Sequence, residues 1–204
     1  MSGAGLGRRG FVAGAGAILG APRAAMAATG KPRVVIKTNH GAIVVELEAE
    51  KAPITSTNFL RYVDARAYDG GRFFRAVRSA DAPKDGTIVG GPNLKVHPFP
   101  PIAHESTTKT GLRHGAGTLS LGRFDPGTAT NNFFICTYPE PYLDAHPGAP
   151  GDNLGYAAFG QVVEGMAVVA KILSLPTNGK TKYAEQRGEW LNPPVPISSM
   201  RRTA

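Results

Sequence analysis

Cysteine is almost absent from the sequence, with Cys136 the only one among 204 residues. An internal disulfide bond is therefore excluded, because it needs two thiols. Cys136 lies in the apolar run FFICT. We expect a buried side chain that packs as a small hydrophobic group rather than as a catalytic thiol.

Long apolar runs, repeats and metal-binding motifs are also missing. No run is long enough to cross a membrane, and the chain shows no internal repeat. The five histidines lack the helical or strand spacing of a ligand pair, so no metal site is expected. The absence of a G-x-S-x-G nucleophile elbow argues against a Ser-His-Asp hydrolase and favours a strand position for Ser120.

Acidic residues are the minority among the charged ones. The chain has 15 Asp and Glu against 23 Lys and Arg, for a net charge of +8 at pH 7. The basic residues are scattered rather than clustered, so the charge is predicted to solvate the surface, and no nucleic-acid binding is expected. The 26 glycines and 17 prolines are also spread along the chain, which predicts many turns rather than a disordered segment.

Residues 1–27 are predicted to be an export signal. Arg8 and Arg9 precede a mildly apolar stretch, and the small residues at 25–27 offer a cleavage site. The adjacent arginines resemble a twin-arginine signal, with an ordinary secretory signal as the alternative. We expect a mature chain of residues 28–204 that forms one domain in a bacterial periplasm, without stable membrane insertion.

Short strands separated by turns dominate the rest of the chain. The turn formers at 39–41 join two β-branched runs into a hairpin. Ile54, Asn58, Phe59 and Val63 recur at helical spacing and predict an amphipathic helix, and a second helix has the same kind of pattern. The predicted strands cover residues 33–38, 42–48, 70–77, 87–91, 117–121, 132–137, 157–163 and 196–201, and the helices cover 53–65 and 164–173. This order favours a closed antiparallel barrel.

Two of the apolar strands carry residues that indicate a site. Phe133 and Phe134 are adjacent, so one ring can enter the core while the other lines a surface pocket. Arg75 stands between Phe74 and Ala76, where a charge is costly to bury unless it is paired or faces a groove. The alternatives are that both rings pack in the core and that Arg75 is an exposed edge charge.

The order of motifs along the chain is similar to that of a known family. YDG and FFR are followed by VGG, GTLSL, NNFFICT, YLD and AAFGQVVEGM between residues 34 and 197. This order resembles the cyclophilin-type peptidyl-prolyl cis/trans isomerases. The resemblance implies an all-β fold, a closed antiparallel eight-stranded β-barrel with two capping α-helices.

The resemblance also implies that Arg75 is the catalytic residue. Rotation about an X-Pro bond crosses a barrier of about 18–20 kcal/mol, because the lone pair of the amide nitrogen is conjugated with the carbonyl group. A donor aimed at the proline nitrogen stabilises the twisted state, in which that lone pair is localised. Arginine stays charged and presents donors in fixed directions. No cofactor, metal or covalent step is needed.

A proline pocket and its rim follow from the same resemblance. Phe134 and Leu143 match pocket residues of the family, and Tyr142 stands where a tryptophan is common. Asn132 replaces the usual glutamine. The loop that grips the substrate backbone in the family is occupied here by Gly122, Arg123 and Phe124, where the family more often has Ala-Asn-Ala.

Two further departures from the family pattern matter more for the activity. Val89 falls where a glutamine binds the substrate and helps to hold the arginine, and Tyr156 falls where a histidine is frequent. We therefore expect the proline pocket to be kept and Arg75 to be less well oriented.

The sequence thus favours a monomeric isomerase that acts on proline-containing segments of exported polypeptides. A competing hypothesis is a non-catalytic proline-peptide binding module or chaperone on the same scaffold. A third is an interaction domain that uses the polar loop 78–86, which is longer than the turn found at this place in the family.

Overall fold

The computed structural model describes Met1 and residues 30–203 of the chain. The predicted export signal, residues 1–27, lies outside the described residues except for Met1. Within the described part, no helix combines the length and the apolar character needed to cross a membrane.

Eight strands and three α-helices follow one another along residues 30–203. The strands are β1 Arg33–Thr38, β2 Gly41–Leu47, β3 Gly71–Arg78, β4 Gly86–Gly91, β5 Thr118–Leu121, β6 Phe133–Cys136, β7 Ala157–Glu164 and β8 Trp190–Thr203. The helices are α1 Pro53–Asp64, α2 Thr107–Thr110 and α3 Met166–Leu173. The first seven strands and both predicted helices agree with the sequence-based bounds to within two residues, while the single turn of α2 was not predicted.

The strands close into one antiparallel barrel, as predicted. Their order around it is β1-β2-β7-β5-β6-β4-β3-β8, and β8 pairs with both β3 and β1. Inward and outward side chains alternate along β1, so that Val34 and Ile36 are fully buried while Lys37 is exposed. Helix α1 packs against β7 and β8, and α3 packs against β2, β3 and β4.

The last strand is longer than predicted. The sequence predicts a strand at 196–201, but β8 begins at Trp190. The run contains three prolines, and proline weakens a strand prediction because it lacks the N–H that a ladder needs. The pairing of β3 with β8 skips residues 191–194 and resumes where Arg75 pairs with Trp190. A local pattern cannot show this bulge, because the partner strand defines it.

Aromatic rings fill the middle of the barrel. Phe133 is fully buried, and its ring meets three others edge to face with centroids 5.6 to 5.7 Å apart, those of Phe59, Tyr68 and Phe73. Phe134 belongs to a different apolar cluster on the other side of the strand. This confirms that the two adjacent rings are divided between the core and the outer face.

Helix α1 buries most of its predicted apolar face. Phe59 and Val63 lie in the core, but Ile54 is 44% exposed, so the prediction is wrong for Ile54. The first turn of the helix lies against the buried carboxylate of Glu105 instead. That carboxylate accepts the N–H groups of Ile54 at 3.1 Å and Thr55 at 2.7 Å. It satisfies backbone donors that have no partner within the helix and places a negative charge at the N-terminus.

The Phe133→Ala variant is expected to lower the free energy of unfolding by about 3–5 kcal/mol, because it removes a fully buried ring and leaves a cavity. Denaturant-induced unfolding measures this loss. Leu94→Ala is the matched control, since Leu94 is 79% exposed and its loss should change the same free energy by less than about 0.5 kcal/mol. Equal losses in the two variants would contradict the core position of Phe133.

Candidate active site

Cross-strand pairing sets three predicted site residues side by side on the outer face of the barrel. Arg75 of β3 pairs with Val89 of β4, and Val89 pairs with Phe134 of β6. Side chains of directly paired residues lie on the same face, and neighbouring strands are about 4.8 Å apart. The charge of Arg75 therefore stands next to Val89 and two strands away from the Phe134 ring.

An apolar cluster surrounds Phe134. It consists of the buried Phe134, Cys136 and Leu143 and the half-buried Val89 and Tyr156. The ring of Tyr156 meets the ring of Phe134 edge to face, with centroids 5.3 Å apart. The structure thus brings together four of the predicted substrate-binding residues, Phe134, Leu143, Val89 and Tyr156. Val89, which stands where the family has a glutamine, adds an apolar surface to this cluster.

Two of the remaining predicted rim residues have exposed rings. Tyr142 is 65% exposed and Phe124 is 79% exposed, so both rings are open to a ligand. The carbonyl of Asn132 accepts the N–H of Gly122 at 2.8 Å, which ties the loop after β5 to the start of β6. The Oδ1 atom of Asn132 lies within clashing distance of the position that a Cβ at residue 91 would take, so a larger residue there would displace the Asn132 side chain.

The Arg123 side chain turns back onto its own chain. Its Nε donates to the carbonyl of Gly155 at 2.9 Å, and its Nη2 donates to Asp152 at 3.0 Å. The guanidinium also lies over the Tyr156 ring, 5.2 Å from its centroid. With only 4% of the side chain exposed, Arg123 braces the loop that carries Tyr156 rather than offering free donors to a ligand.

Arg75 has a partner that the sequence did not reveal. The Oε2 atom of Glu189 accepts from Nε of Arg75 at 2.7 Å and lies 2.6 Å from Nη2. Val89 has no side-chain group that could bind Arg75, as expected from the missing glutamine. The carboxylate of Glu189 forms an ion pair with the guanidinium instead. No local signal marks Glu189, because it lies 114 residues away and reaches Arg75 only through the β3–β8 pairing.

A buried chain of hydrogen bonds lies beneath the pocket. Nδ1 of His114 is 2.8 Å from Oδ1 of Asp144, and Nε2 is 2.9 Å from the hydroxyl of Ser120. The imidazole stacks on the ring of Phe134, with centroids 5.9 Å apart and an interplanar angle of 13°. All three polar residues are buried, so Ser120 is no exposed nucleophile and the group supports Phe134 from below.

Burial shifts the titration of groups around the pocket. It lowers the pKa of His114, although the hydrogen bond and the charge of Asp144 act in the opposite direction. It raises the pKa of Cys136 to about 12, so the thiol stays neutral and unreactive, as expected for a packing residue. The pKa of Tyr142 is raised by partial desolvation of its largely exposed side chain and by nearby acidic groups, while the charge of Arg75 opposes this shift.

An open hollow of the described surface lies away from this site. It measures about 420 Å³ beside α1 and is lined mostly by apolar groups. Its one charged side chain, Arg61, lies over the Phe99 ring at 4.0 Å. No carboxylate, imidazole or thiol lines this hollow, and within residues 30–203 no three His, Cys, Asp or Glu side chains are placed to hold a metal ion.

Comparison with protein families gives a match over nearly all of the barrel. Residues 33–202 match the family model described as cyclophilin type peptidyl-prolyl cis-trans isomerase/CLD. A peptidyl-prolyl cis-trans isomerase of Acinetobacter baylyi is 37% identical over 150 residues, which cover 71% of this chain and 73% of the relative. Peptidyl-prolyl cis-trans isomerase A of Dickeya dadantii is 33% identical over 165 residues, covering 78% and 80%.

Solved structures show the same fold. A Cryptosporidium parvum cyclophilin type peptidyl-prolyl cis-trans isomerase, crystallised in the presence of the dipeptide Ala-Pro, superposes with a TM-score of 0.64 at 19% identity. The match covers 84% of this chain and 99% of that one. At this identity the likeness concerns the fold alone.

His114 is expected to stay neutral in the folded protein as the pH falls through its ordinary pKa of 6.5, because burial lowers its pKa. The unfolded chain binds a proton there first, so the contribution of His114 to stability is complete above about pH 6.5 and is lost as the pH falls towards the lowered pKa. NMR titration of the imidazole in the native protein and in denaturant measures the difference. A native pKa equal to or above the denatured one would contradict this assignment.

Proposed function

The chain belongs to the cyclophilin-type peptidyl-prolyl cis-trans isomerase family and is such an isomerase; on this premise we propose that Arg75 is its catalytic residue and the Phe134 cluster its proline pocket. One observation carries the proposal. Strand pairing holds a charged donor beside an apolar surface on the outer face of a closed barrel. Isomerisation of an X-Pro segment needs both, an apolar surface that binds the proline ring and a hydrogen-bond donor for the proline nitrogen.

The apolar cluster fixes one side of the rotating bond. A proline ring that packs against Phe134 and Leu143 is held by shape and by the removal of its apolar surface from water. The residue before proline is left free to swing about the C–N bond. Rotation then needs no covalent intermediate, because only the conjugation of the amide has to be broken.

Arg75 acts on the twisted bond. When the amide is twisted, its lone pair is localised on the proline nitrogen and accepts a hydrogen bond that the planar amide cannot accept equally well. A guanidinium beside the pocket therefore stabilises the transition state more than either ground state. Arginine stays protonated at every physiological pH, so this donor needs no activation.

The rim supplies contacts to the rest of the peptide. The exposed rings of Phe124 and Tyr142 offer flat surfaces to residues on either side of the proline. Asn132 and Gly122 form the edge of the pocket with a paired backbone. The closed barrel leaves no unpaired edge strand among residues 30–203 for another chain to extend, which supports action as a monomer.

Exported polypeptides are the clients that we propose. The support is in the sequence of residues 1–27, where paired arginines, an apolar stretch and a small-residue cleavage site follow one another. A folding catalyst carried by this route meets chains that fold after export.

Arg75→Ala is expected to lower the catalysed cis/trans exchange rate of a short X-Pro peptide by about 10²–10³-fold, by analogy with the removal of an oxyanion-hole donor. NMR exchange spectroscopy measures the rate, and peptide titration measures binding. Arg33→Ala is the control, because Arg33 is an exposed arginine that pairs with Glu46 on the surface.

Two outcomes would overturn the assignment. If the wild-type protein binds proline peptides without accelerating exchange, it is a binding module on an isomerase scaffold. If Arg75→Ala keeps full activity with an unchanged fold, the catalytic group lies elsewhere.

Replacement of Arg8 and Arg9 by lysine is expected to leave the protein unprocessed in the cytoplasm, because a twin-arginine signal depends on the arginine pair. Cell fractionation and the mass of the recovered chain give the result. A normal secretory signal would tolerate the exchange of one basic residue for another, so unchanged processing would reject the twin-arginine route.

A further inference from the structure

Glu189 holds the guanidinium of Arg75 by one edge. A single oxygen, Oε2, lies 2.7 Å from Nε and 2.6 Å from Nη2. On the neighbouring strand the paired residue is Val89, which has no group to accept a hydrogen bond. Among residues 30–203, Glu189 is the hydrogen-bond acceptor found for the Arg75 side chain.

The backbone fixes Glu189 in this place. Its carbonyl accepts the N–H of Ala76 at 2.8 Å, directly after Arg75 in β3. The next residue, Trp190, pairs with Arg75 across the bulge and donates its indole N–H to Gln186 at 3.1 Å. The carboxylate is therefore attached to a segment that is anchored on both sides of the ion pair.

The ion pair leaves most of the arginine donors free. A guanidinium has five N–H groups in one plane; Nε donates to the Glu189 oxygen, which also lies 2.6 Å from Nη2 in the ion pair. Among residues 30–203, no acceptor is found for the two N–H groups on Nη1. Because the group is rigid and planar, a hold on one edge also sets the direction of the donors at the other end.

We infer that Glu189 is a positioning residue for the isomerisation, which sets the orientation of the Arg75 donors that face the proline nitrogen. The inference rests on the proposed catalytic function of Arg75. Glu189 touches neither the substrate nor the reacting bond in this scheme. It acts through Arg75, because its ion pair restricts the long arginine side chain, whereas Val89 has no group that could bind the guanidinium.

The alternative is that the ion pair between Glu189 and Arg75 inhibits the reaction. A carboxylate that competed with the substrate for the guanidinium would slow the reaction, and its removal would raise the rate. The occupied edge argues against competition, since the Nη1 end stays free. The two effects have opposite signs, so a rate measurement separates them.

Three variants test the inference, Glu189→Ala, Glu189→Gln and the control Asp64→Ala. Asp64 is also an acid in a surface ion pair, with Arg202, but on α1 rather than beside the pocket. We expect Glu189→Ala to lower the exchange rate at saturating X-Pro peptide by about tenfold, while the peptide dissociation constant changes less than about twofold. Glu189→Gln keeps an acceptor oxygen and should remain within about threefold of the wild type. Asp64→Ala should change neither quantity.

A spectroscopic readout and a double variant separate positioning from general damage. The Nε–H signal of Arg75, assigned by its loss in Arg75→Ala, should shift in Glu189→Ala and exchange faster with water. In the Arg75→Ala background, Glu189→Ala should have no further effect on the exchange rate, because the two residues act as one unit. Circular dichroism and thermal unfolding check that each variant is folded.

The outcomes are distinct from those for the proposed function. An active wild type, an inactive Arg75→Ala and a Glu189→Ala variant with full or raised activity would overturn the inference and leave Arg75 catalytic. An equal loss from Glu189→Ala in the wild-type and Arg75→Ala backgrounds would also overturn it. An inactive wild type would instead reject the function on which the inference rests.

Discussion

The pairing of β8 with both β1 and β3 closes the barrel, and the arrangement of the site depends on that closure. The C-terminal part of β8 lies along β1 and its N-terminal part lies along β3. A closed sheet cannot slip by one residue without turning every side chain of a strand to the other face. The registers that place Arg75, Val89 and Phe134 in one row are therefore as stable as the barrel itself.

Hydrogen bonding below the pocket contributes to the same rigidity. Ser120, His114 and Asp144 satisfy one another in a region that water does not reach, and the imidazole supports the Phe134 ring. Buried polar groups without partners would be costly, so this chain of bonds also selects one arrangement of the strands and loops that contribute to it. Within residues 30–203 the one buried side-chain polar atom without a partner is Oγ of Ser56, which lies on α1.

Three arginines show how similar side chains acquire different uses. Arg78 donates to the carbonyl of Leu173 at the end of α3 and is engaged in holding that helix. Arg123 is almost fully buried and braces the loop of Tyr156. One edge of the Arg75 guanidinium binds Glu189, and within residues 30–203 no acceptor is found for its Nη1 donors. The apolar residue Val89 lies beside Arg75 on the neighbouring strand. Within residues 30–203, the three side chains thus differ in how many of their donors already have a partner.

The sequence by itself determined the strands up to β7, both main helices and the division of Phe133 and Phe134 between two faces, because each depends on a period of a few residues. It also indicated Arg75, since a charge inside an apolar run is unusual wherever the strand lies. Only the tertiary structure decided the start of β8, the exposure of Ile54, the brace formed by Arg123 and the partners of His114. Glu189 is the clearest case. It meets Arg75 across 114 residues of chain, and only the bulged pairing of two distant strands sets that contact.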